Sequence, residues 1–198
     1  MSLTDFQKDE IREVMMIGSG HASTALASKL KREIDIRIPE VDLLPLEEVP
    51  GKIDVIDEIT IGVYTEIKGD LRGRLLTVFS EEDALRLEEM VSGRSAKGRR
   101  DFSAATVTDV SDVLGANSLS AISDFFGMKI EKTPSESARD ILGALLQQVL
   151  LDISQHSDVV LFSRTEIFVS AEKFNCHQML FLEASSLEKL LKAMDVML

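Results

Sequence analysis

Few residues of this chain could form a covalent crosslink or a membrane anchor. Its 198 residues include one cysteine, Cys176, so no internal disulfide can form and a reducing compartment is expected. No apolar run approaches the roughly 18 residues that a membrane-spanning helix needs. The N-terminus also lacks the apolar core of a signal peptide. These absences predict a soluble protein of the cytoplasm.

Positive charge is scarce as well. The chain has 22 Lys and Arg residues against 34 Asp and Glu residues, and a formal net charge of −12. This balance argues against nucleic acid or an anionic membrane as the main partner. It fits a basic-faced protein partner, or simple solubility. With 44% hydrophobic residues, the chain is predicted to fold as one compact unit with a sizeable core.

Candidate metal ligands and phosphate loops are equally sparse. Of His21, His156, His177 and Cys176, only the last two are close in sequence, and neighbouring side chains on a strand point to opposite faces. No metal site is therefore predicted. The segment 18–20 (Gly-Ser-Gly) lies inside a helical pattern with no strand before it, so helix packing is favoured over a phosphate-binding loop.

The chain is organised around a helix near its start. Residues 9–26 place apolar side chains at helical spacing; they are Ile11, Val14, Met15, Gly18, Ala22, Ala25 and Leu26. Glycine in a helix interior costs roughly 1 kcal/mol relative to alanine. The small residues Gly18, Gly20, Ala22 and Ala25 therefore predict the close approach of a second backbone.

The remaining elements follow from periodicity and turn residues. In the first half they are a helix over about 3–31 with Thr4 or Asp5 as N-cap, a strand over 34–38 with Pro39 at its edge or end, a short segment over 43–49, a hairpin of strands 53–68 and 72–79, and a helix from the Ser80 cap to Val91. In the second half they are a helix over 102–126, a strand over 128–132, a helix over 136–154, a hairpin of strands 159–171 and 178–183 with its turn at 172–176, and a helix capped by Ser185 and Ser186 and running to Met194.

The two halves repeat the order helix, strand, hairpin, helix. A shift of 96 residues places Glu13 on Asp109 and Ala25 on Ala121, which an internal duplication explains. The prediction is a single domain over 1–198, built of repeats at about 3–92 and 101–197 joined by a basic linker at 93–100. One continuous sheet with the two long helices side by side is expected.

Each long helix carries an acidic edge. Asp9, Glu13 and Met16 share one helix face, and the repeat places Ala105, Asp109 and Asp112 at the equivalent positions. Most charges of this kind are simply solvated. The order of the elements raises the alternative that they form a functional site.

Five segments of the chain resemble the CheC family of chemotaxis proteins, phosphatases of the phosphorylated response regulator CheY. The segments are EVMMIGSGHASTALA (13–27), IPEVDLLPLEEVPG (38–51), GDLRGRLLTVFSEEDALRL (69–87), VSDVLGANSLSAIS (110–123) and ARDILGALLQQVLLDISQHSDVVLFSRTEIF (138–168). The resemblance implies an α/β (α+β) fold with a pseudo-two-fold axis, a shared, mainly antiparallel sheet and two long adjacent helices.

The resemblance also implies a mechanism. The family's active pattern is Asp or Ser, three residues, Glu, two residues and Asn, in which the Asn amide orients the attacking water and the Glu holds the regulator's lysine. The regulator supplies the magnesium and the phosphorylated aspartate, so no cofactor is expected on this chain. Such catalysis is mostly positioning, and loss of the water-orienting amide is expected to cost about 10²-fold or more.

Both sites depart from that pattern. The first has Asp9 and Glu13 but Met16 in place of the amide. The second has Asp109 where Glu is expected and Asp112 where Asn is expected, and a carboxylate there repels the anionic phosphoryl group. Carried over by position, the candidate catalytic residues are Glu13, Asp109 and Asp112.

Two functions stay open on the sequence. One is a CheC-type phosphatase of weak or altered activity, stimulated by the receptor deamidase CheD. The other is a binding protein that docks phosphorylated CheY, or CheD, with little hydrolysis. Candidate partner-binding residues are Asp9 and Met16 for the regulator, and Asp140 and Leu142 in the segment that resembles the family's CheD-binding region. Core packing of the helix after Asp140 is the alternative for Leu142, and an unrelated α/β scaffold is a third reading of the chain.

Overall fold

Seven strands form one sheet at the centre of the computed structural model, which describes residues 3–53, 57–93, 104–153 and 158–196. The helices are α1 (Asp5–Leu30), α2 (Val49–Lys52), α3 (Glu81–Ser92), α4 (Ala105–Phe126), α5 (Leu142–Ile153) and α6 (Ala184–Val196), with a 3-10 turn at Leu46–Glu48. The strands are β1 (Ile34–Pro45), β2 (Ile59–Gly69), β3 (Gly73–Ser80), β4 (Ile130–Lys132), β5 (Glu136–Ile141), β6 (Val159–Val169) and β7 (Glu172–Leu182).

The sheet is antiparallel at every described strand pair. Its order is β1-β6-β7-β3-β2-β4, with β5 also pairing with β2. This order is unchanged when the two halves of the chain are exchanged. At its centre Leu75 pairs with Leu180 and Leu76 pairs with Met179, as a two-fold axis between β3 and β7 requires. The α/β class and the continuous, mainly antiparallel sheet are confirmed, while the duplication itself stays a prediction.

The first helix begins where its capping residues place it. The Thr4 side-chain oxygen accepts from the Gln7 amide at 3.2 Å, and the Gln7 side chain accepts from the Thr4 amide at 3.0 Å. This capping box satisfies two of the amides that a helix start leaves unpaired. Lys31, with φ of 54°, ends the helix. The prediction of Thr4 as N-cap is confirmed.

Helices α1 and α4 pack side by side, as predicted. A Cβ added to Gly18 would lie 2.9 Å from the carbonyl oxygen of Asn117 and 3.0 Å from the Cα of Ser118, so only glycine fits there. A Cβ on Gly20 would meet nothing within 4 Å, and Ala25 is exposed. The interpretation of the small residues is correct for Gly18 and wrong for Gly20 and Ala25, which face away from the seam.

The sheet is covered on both faces. Helices α1, α3, α4 and α6 lie on one face, where their buried side chains form two apolar clusters with the sheet. Helix α5 and the short α2 lie on the other face and bury a third cluster against β3, β6 and β7. None of the helices within the described ranges is long and apolar enough to span a bilayer.

The predicted helix over 136–154 is wrong in its first six residues. Glu136–Ile141 forms β5, which pairs with β2 from Ile59 to Tyr64, and the helix begins only at Leu142. Five of the six β5 residues are exposed, and Ala138 is partly buried, so the strand shows no apolar alternation. Backbone hydrogen bonds to the edge of β2 hold β5 in place, and burial of its side chains contributes little.

Several other boundaries differ from prediction; β2, for example, begins at Ile59 and not at residue 53. The turn between β6 and β7 is Ser170-Ala171, both with positive φ (49° and 72°), and residues 172–176 belong to β7. Such a two-residue turn suits the twist of a hairpin. Strand β1 continues past Pro39 with a register shift between Arg37 and Glu40, which an edge strand tolerates.

The last helix also starts differently. It begins at Ala184, and Ser186 accepts a hydrogen bond from the Arg72 amide at 2.8 Å instead of capping its own helix. The proposed linker at 93–100 lies outside the described residues, apart from Gly93.

Candidate functional site

The acidic edge of α1 is a free surface. Asp9 and Glu13 are exposed, and neither has an ion-pair partner among the described residues. Met16 is 56% exposed and Ile17 is 44% exposed. We call Phe6, Asp9, Glu13, Met16 and Ile17 together the α1 face, since helical geometry places them on one side. Two carboxylates thus lie between apolar side chains that reach into solvent.

The position that would hold a water-orienting amide is apolar. The thioether of Met16 is at best a weak acceptor and donates no hydrogen bond. Ser19, one turn later, donates to the Met16 carbonyl at 2.8 Å, so its hydroxyl is bound to its own helix. The α1 face can bind a surface with cationic and apolar groups, but none of its five side chains can replace the amide.

The acidic edge of α4 is engaged by the chain's own cations. Asp109 forms an ion pair with Lys29 at 2.9 Å. The Lys132 ammonium donates to Asp112 Oδ1, and Ser135 donates to the same oxygen at 2.7 Å. Partial burial acts to raise the pKa of Asp112, but the hydrogen bonds from Lys132 and Ser135 outweigh it and the pKa is lowered. Asp112 is therefore a carboxylate at neutral pH.

The structure does not bring the predicted catalytic residues together. Lys29, in the last turn of α1, pairs with Asp109 near the start of α4, so the two helices run antiparallel. Glu13 precedes Lys29 by 16 residues on the same helix, a rise of about 24 Å. Asp109 and Asp112 lie at one end of the helix pair and Glu13 lies at the other.

The predicted CheD-facing residues have different surroundings. Asp140 is exposed, and its side chain accepts from the amide of Ile141 at 2.7 Å. Leu142 is fully buried in the cluster beneath α5, so core packing accounts for it. Two exposed side chains beside Asp140, Ile141 and its cross-strand partner Ile59, had no signal in the sequence.

The other chemistry-bearing groups form no second site. Cys176 is fully buried and burial raises the pKa of its thiol, so it is no nucleophile. Its neighbour His177 stacks on Phe162 with ring centroids 5.6 Å apart. Across the four described ranges, no group of three or more His, Cys, Asp or Glu side chains could hold a metal.

One cavity lies on the opposite face of the sheet from α1 and α4. Its volume is about 280 Å³, and its lining residues are Tyr64, Thr65, Glu66, Arg74, Thr133, Pro134, Glu136 and Val149. Burial, followed by the charge of Asp140, raises the pKa of Tyr64 to about 12. The lining carries charges of both signs, which indicates no particular class of ligand.

Comparison with known proteins gives the chain a consistent set of relatives, although no family model matches it. It is 25% identical to the CheY-P phosphatase CheC of Bacillus subtilis over 97% of this chain and 95% of that protein. The crystal structure of Thermotoga maritima FliY is similar with a TM-score of 0.76 and 19% identity, over 99% of both chains. CheX of Borrelia burgdorferi, solved as a CheX-CheY-BeF3-Mg complex, is similar with a TM-score of 0.52 and 16% identity, over 86% of this chain and 96% of that one.

Proposed function

We propose that this chain, which belongs to the CheC, CheX and FliY family of chemotaxis proteins, docks a phosphorylated CheY-type response regulator on its α1 face and hydrolyses its phosphoryl group weakly or not at all. The observation that carries the proposal is Met16, exposed at the position of the family's water-orienting amide. Docking at that position leaves the attacking water without a polar guide.

The surroundings of Met16 support docking. Asp9 and Glu13 offer carboxylates without a cation of their own among the described residues, and opposite charges on a partner favour and orient association. Met16 and Ile17 offer apolar area beside them. The complex of the similar CheX with CheY agrees with a CheY-type partner.

The second site supports weak hydrolysis. Asp112 stands where an amide is needed, and Lys132 and Ser135 hold it ionised. A carboxylate repels an anionic phosphoryl group, and the Lys132 ion pair, which reduces that repulsion, occupies the Asp112 oxygen. Neither site has the positioned amide on which this kind of catalysis depends.

The alternative is an active phosphatase that uses Glu13, Asp109 and Asp112 and is stimulated by CheD. The exposure of Glu13 and Asp109 favours it, because a regulator can reach Glu13 directly and can reach Asp109 once Lys29 is displaced. Exposed Asp140 with Ile141 is the surface that CheD would contact. In both proposals the regulator supplies the magnesium and the protein acts in the cytoplasm.

The experiment measures binding and hydrolysis on the same protein. Each CheY-type regulator encoded in the genome that carries this chain is loaded with beryllofluoride and magnesium for binding, and is phosphorylated for phosphate release, with and without CheD. Binding to one regulator with little acceleration of phosphate release is expected. Acceleration equal to that of Bacillus subtilis CheC would favour the phosphatase, and no binding to any regulator would overturn both proposals.

A further inference from the structure

We infer that Lys29 and Lys132 close the second acidic site, so that a single regulator docks per chain, on the α1 face. The inference rests on the docking proposed above, and it adds how many regulators bind each chain and which of the two helices they contact. The two halves of the chain would offer two equivalent surfaces if their side chains matched. Their side chains do not match, and the difference lies in charge and in apolar exposure.

On the α1 face the charges are uncompensated. Asp9 and Glu13 have no cation within ion-pair distance among the described residues. The nearest lysine on the helix, Lys8, is bound to Asp42 of β1 at 3.0 Å. Arg12 lies beside the face without an ion pair in the described part of the chain. A cationic group of a partner can therefore approach Glu13 without breaking an existing contact.

On α4 the two carboxylates of the acidic edge, Asp109 and Asp112, each already hold a lysine. Lys29 comes from the last turn of α1 and binds Asp109 at 2.9 Å. Lys132 ends β4, where its backbone is fixed opposite Ile67 of β2, and only 21% of its side chain is exposed. Ser135, which also binds Asp112, is itself hydrogen-bonded to Thr65 at 2.7 Å.

Docking on α4 would thus exchange one ion pair for another. A regulator's cation would have to displace a lysine that the fold already positions, and an exchange between equal charges gives little net free energy. The fixed backbone of Lys132 and the bond between Ser135 and Thr65 make the closed arrangement preorganised. The same step on the α1 face breaks no ion pair between described residues.

The two helices also differ in their exposed apolar side chains, and this difference again favours α1. Among the described residues the exposed large apolar side chains are Phe6, Met16, Ile17, Ile59 and Ile141. Three of them lie on the α1 face and none lies on α4. At the positions that the repeat equates with Met16 and Ile17, α4 has Asp112 and the partly buried Val113. Burial of apolar surface is the dominant favourable term in most protein–protein association, so the α1 face has this second advantage as well.

The test compares equivalent positions on the two helices. Asp9→Arg and Ala105→Arg each place a bulky cation on one face, at exposed positions. Titration calorimetry with beryllofluoride-loaded regulator is expected to give one regulator per wild-type chain. Asp9→Arg is expected to raise the dissociation constant at least about tenfold, and Ala105→Arg is expected to raise it less than twofold. Far-UV circular dichroism checks that both variants are folded.

Hydrogen exchange on the wild-type complex gives an answer that needs no variant. Protection is expected in the first half of α1 and not at the start of α4. Two regulators per chain, protection at both ends, or an Ala105→Arg defect equal to that of Asp9→Arg would overturn the inference while leaving the docking proposal intact. Failure of the wild-type chain to bind any regulator would overturn the docking proposal itself, and the inference with it.

Discussion

Gly18 of α1 and Asn117 of α4 approach so closely that a Cβ atom on Gly18 would lie 2.9 Å from the Asn117 carbonyl oxygen. The neighbour is backbone, which cannot rotate away as the end of a side chain can. This contact sets the separation of the two helices and thereby the position of both acidic edges over the sheet.

Gly18→Ala is therefore expected to destabilise the fold. Forcing the two backbones apart resembles overpacking of a core, which costs about 1–3 kcal/mol. Gly20→Ala is the matched control, because the added methyl group meets open space and alanine gains up to about 1 kcal/mol in a helix. Urea unfolding of the two variants measures the difference, and equal stability of both would contradict the close packing.

Met16→Asn is expected to raise hydrolysis of the regulator's phosphoryl group. It restores the family's pattern after Asp9 and Glu13, and correct placement of the water is worth about 10²-fold or more. Ile17→Asn is the control, since it introduces the same amide at the next exposed apolar position. Phosphate release from phosphorylated regulator is the measurement. An unchanged rate in Met16→Asn would show that the missing amide is not what limits hydrolysis.

The Asp112–Lys132 pair is expected to make the folding stability of the protein depend on pH in the acidic range. The folded pKa of Asp112 is lowered from its ordinary value of 3.8, so its contribution is fully present above the unfolded pKa and is lost as the pH falls through the folded pKa. Asp112→Asn should thus unfold more easily than wild type at pH 7 and equally easily once the pH lies below the folded pKa of Asp112.

The size of that effect is limited by exposure. The side chains of Lys132 and Asp112 are 21% and 45% exposed, and pairs open to solvent contribute at most about 1 kcal/mol. A double-mutant cycle with Lys132→Met isolates the coupling between the two side chains. A destabilisation by Asp112→Asn that persists unchanged at low pH would show that the ion pair is not its cause.

Glu10→Gln is expected to stabilise the protein at neutral pH. Partial burial, followed by the charges of Asp195 and Glu13, raises the pKa of Glu10. The folded state therefore disfavours its ionised form, and this cost is absent below the unfolded pKa and complete above the folded pKa. The Tm of Glu10→Gln should exceed that of wild type at pH 7 and match it below about pH 4.

A control for this charge effect is available on the surface. Glu47 is an exposed acid of the turn before α2, and Glu47→Gln removes the same charge without the burial. Its Tm is expected to stay near that of wild type at both pH values. An equal gain in the two variants would assign the effect to net charge instead of to the surroundings of Glu10.

The long helices were predictable because their capping residues and the spacing of their buried side chains are local features of the sequence. Thr4 with Gln7 starts α1, and Gly127 ends α4 in the left-handed conformation that glycine favours. Strand β5 was not predictable, because its residues are exposed and only the free edge of β2 selects a strand there. The Ser170-Ala171 turn lacks the Asn or Gly that normally marks positive φ.

The candidate site was likewise predictable from the sequence in one part and not in the other. The spacing of Asp9, Glu13 and Met16 along one helix was sufficient to place them on one surface. The lysines of the second site come from the far end of α1 and from β4, so only the packing of those elements over Asp109 and Asp112 reveals the pairs. Sequence spacing carries no information on contacts of that range.

The strand order makes the two halves dependent on each other for their hydrogen bonds. Strand β1 of the first half pairs only with β6 of the second among the described strands, while β4 and β5 of the second half pair only with β2 of the first. Each half thus lends its outer strands to the hairpin of the other, as two subunits do in a strand-exchanged dimer. A fragment containing one half would leave those strands without neighbours, so we expect the two halves to fold together and neither to fold alone.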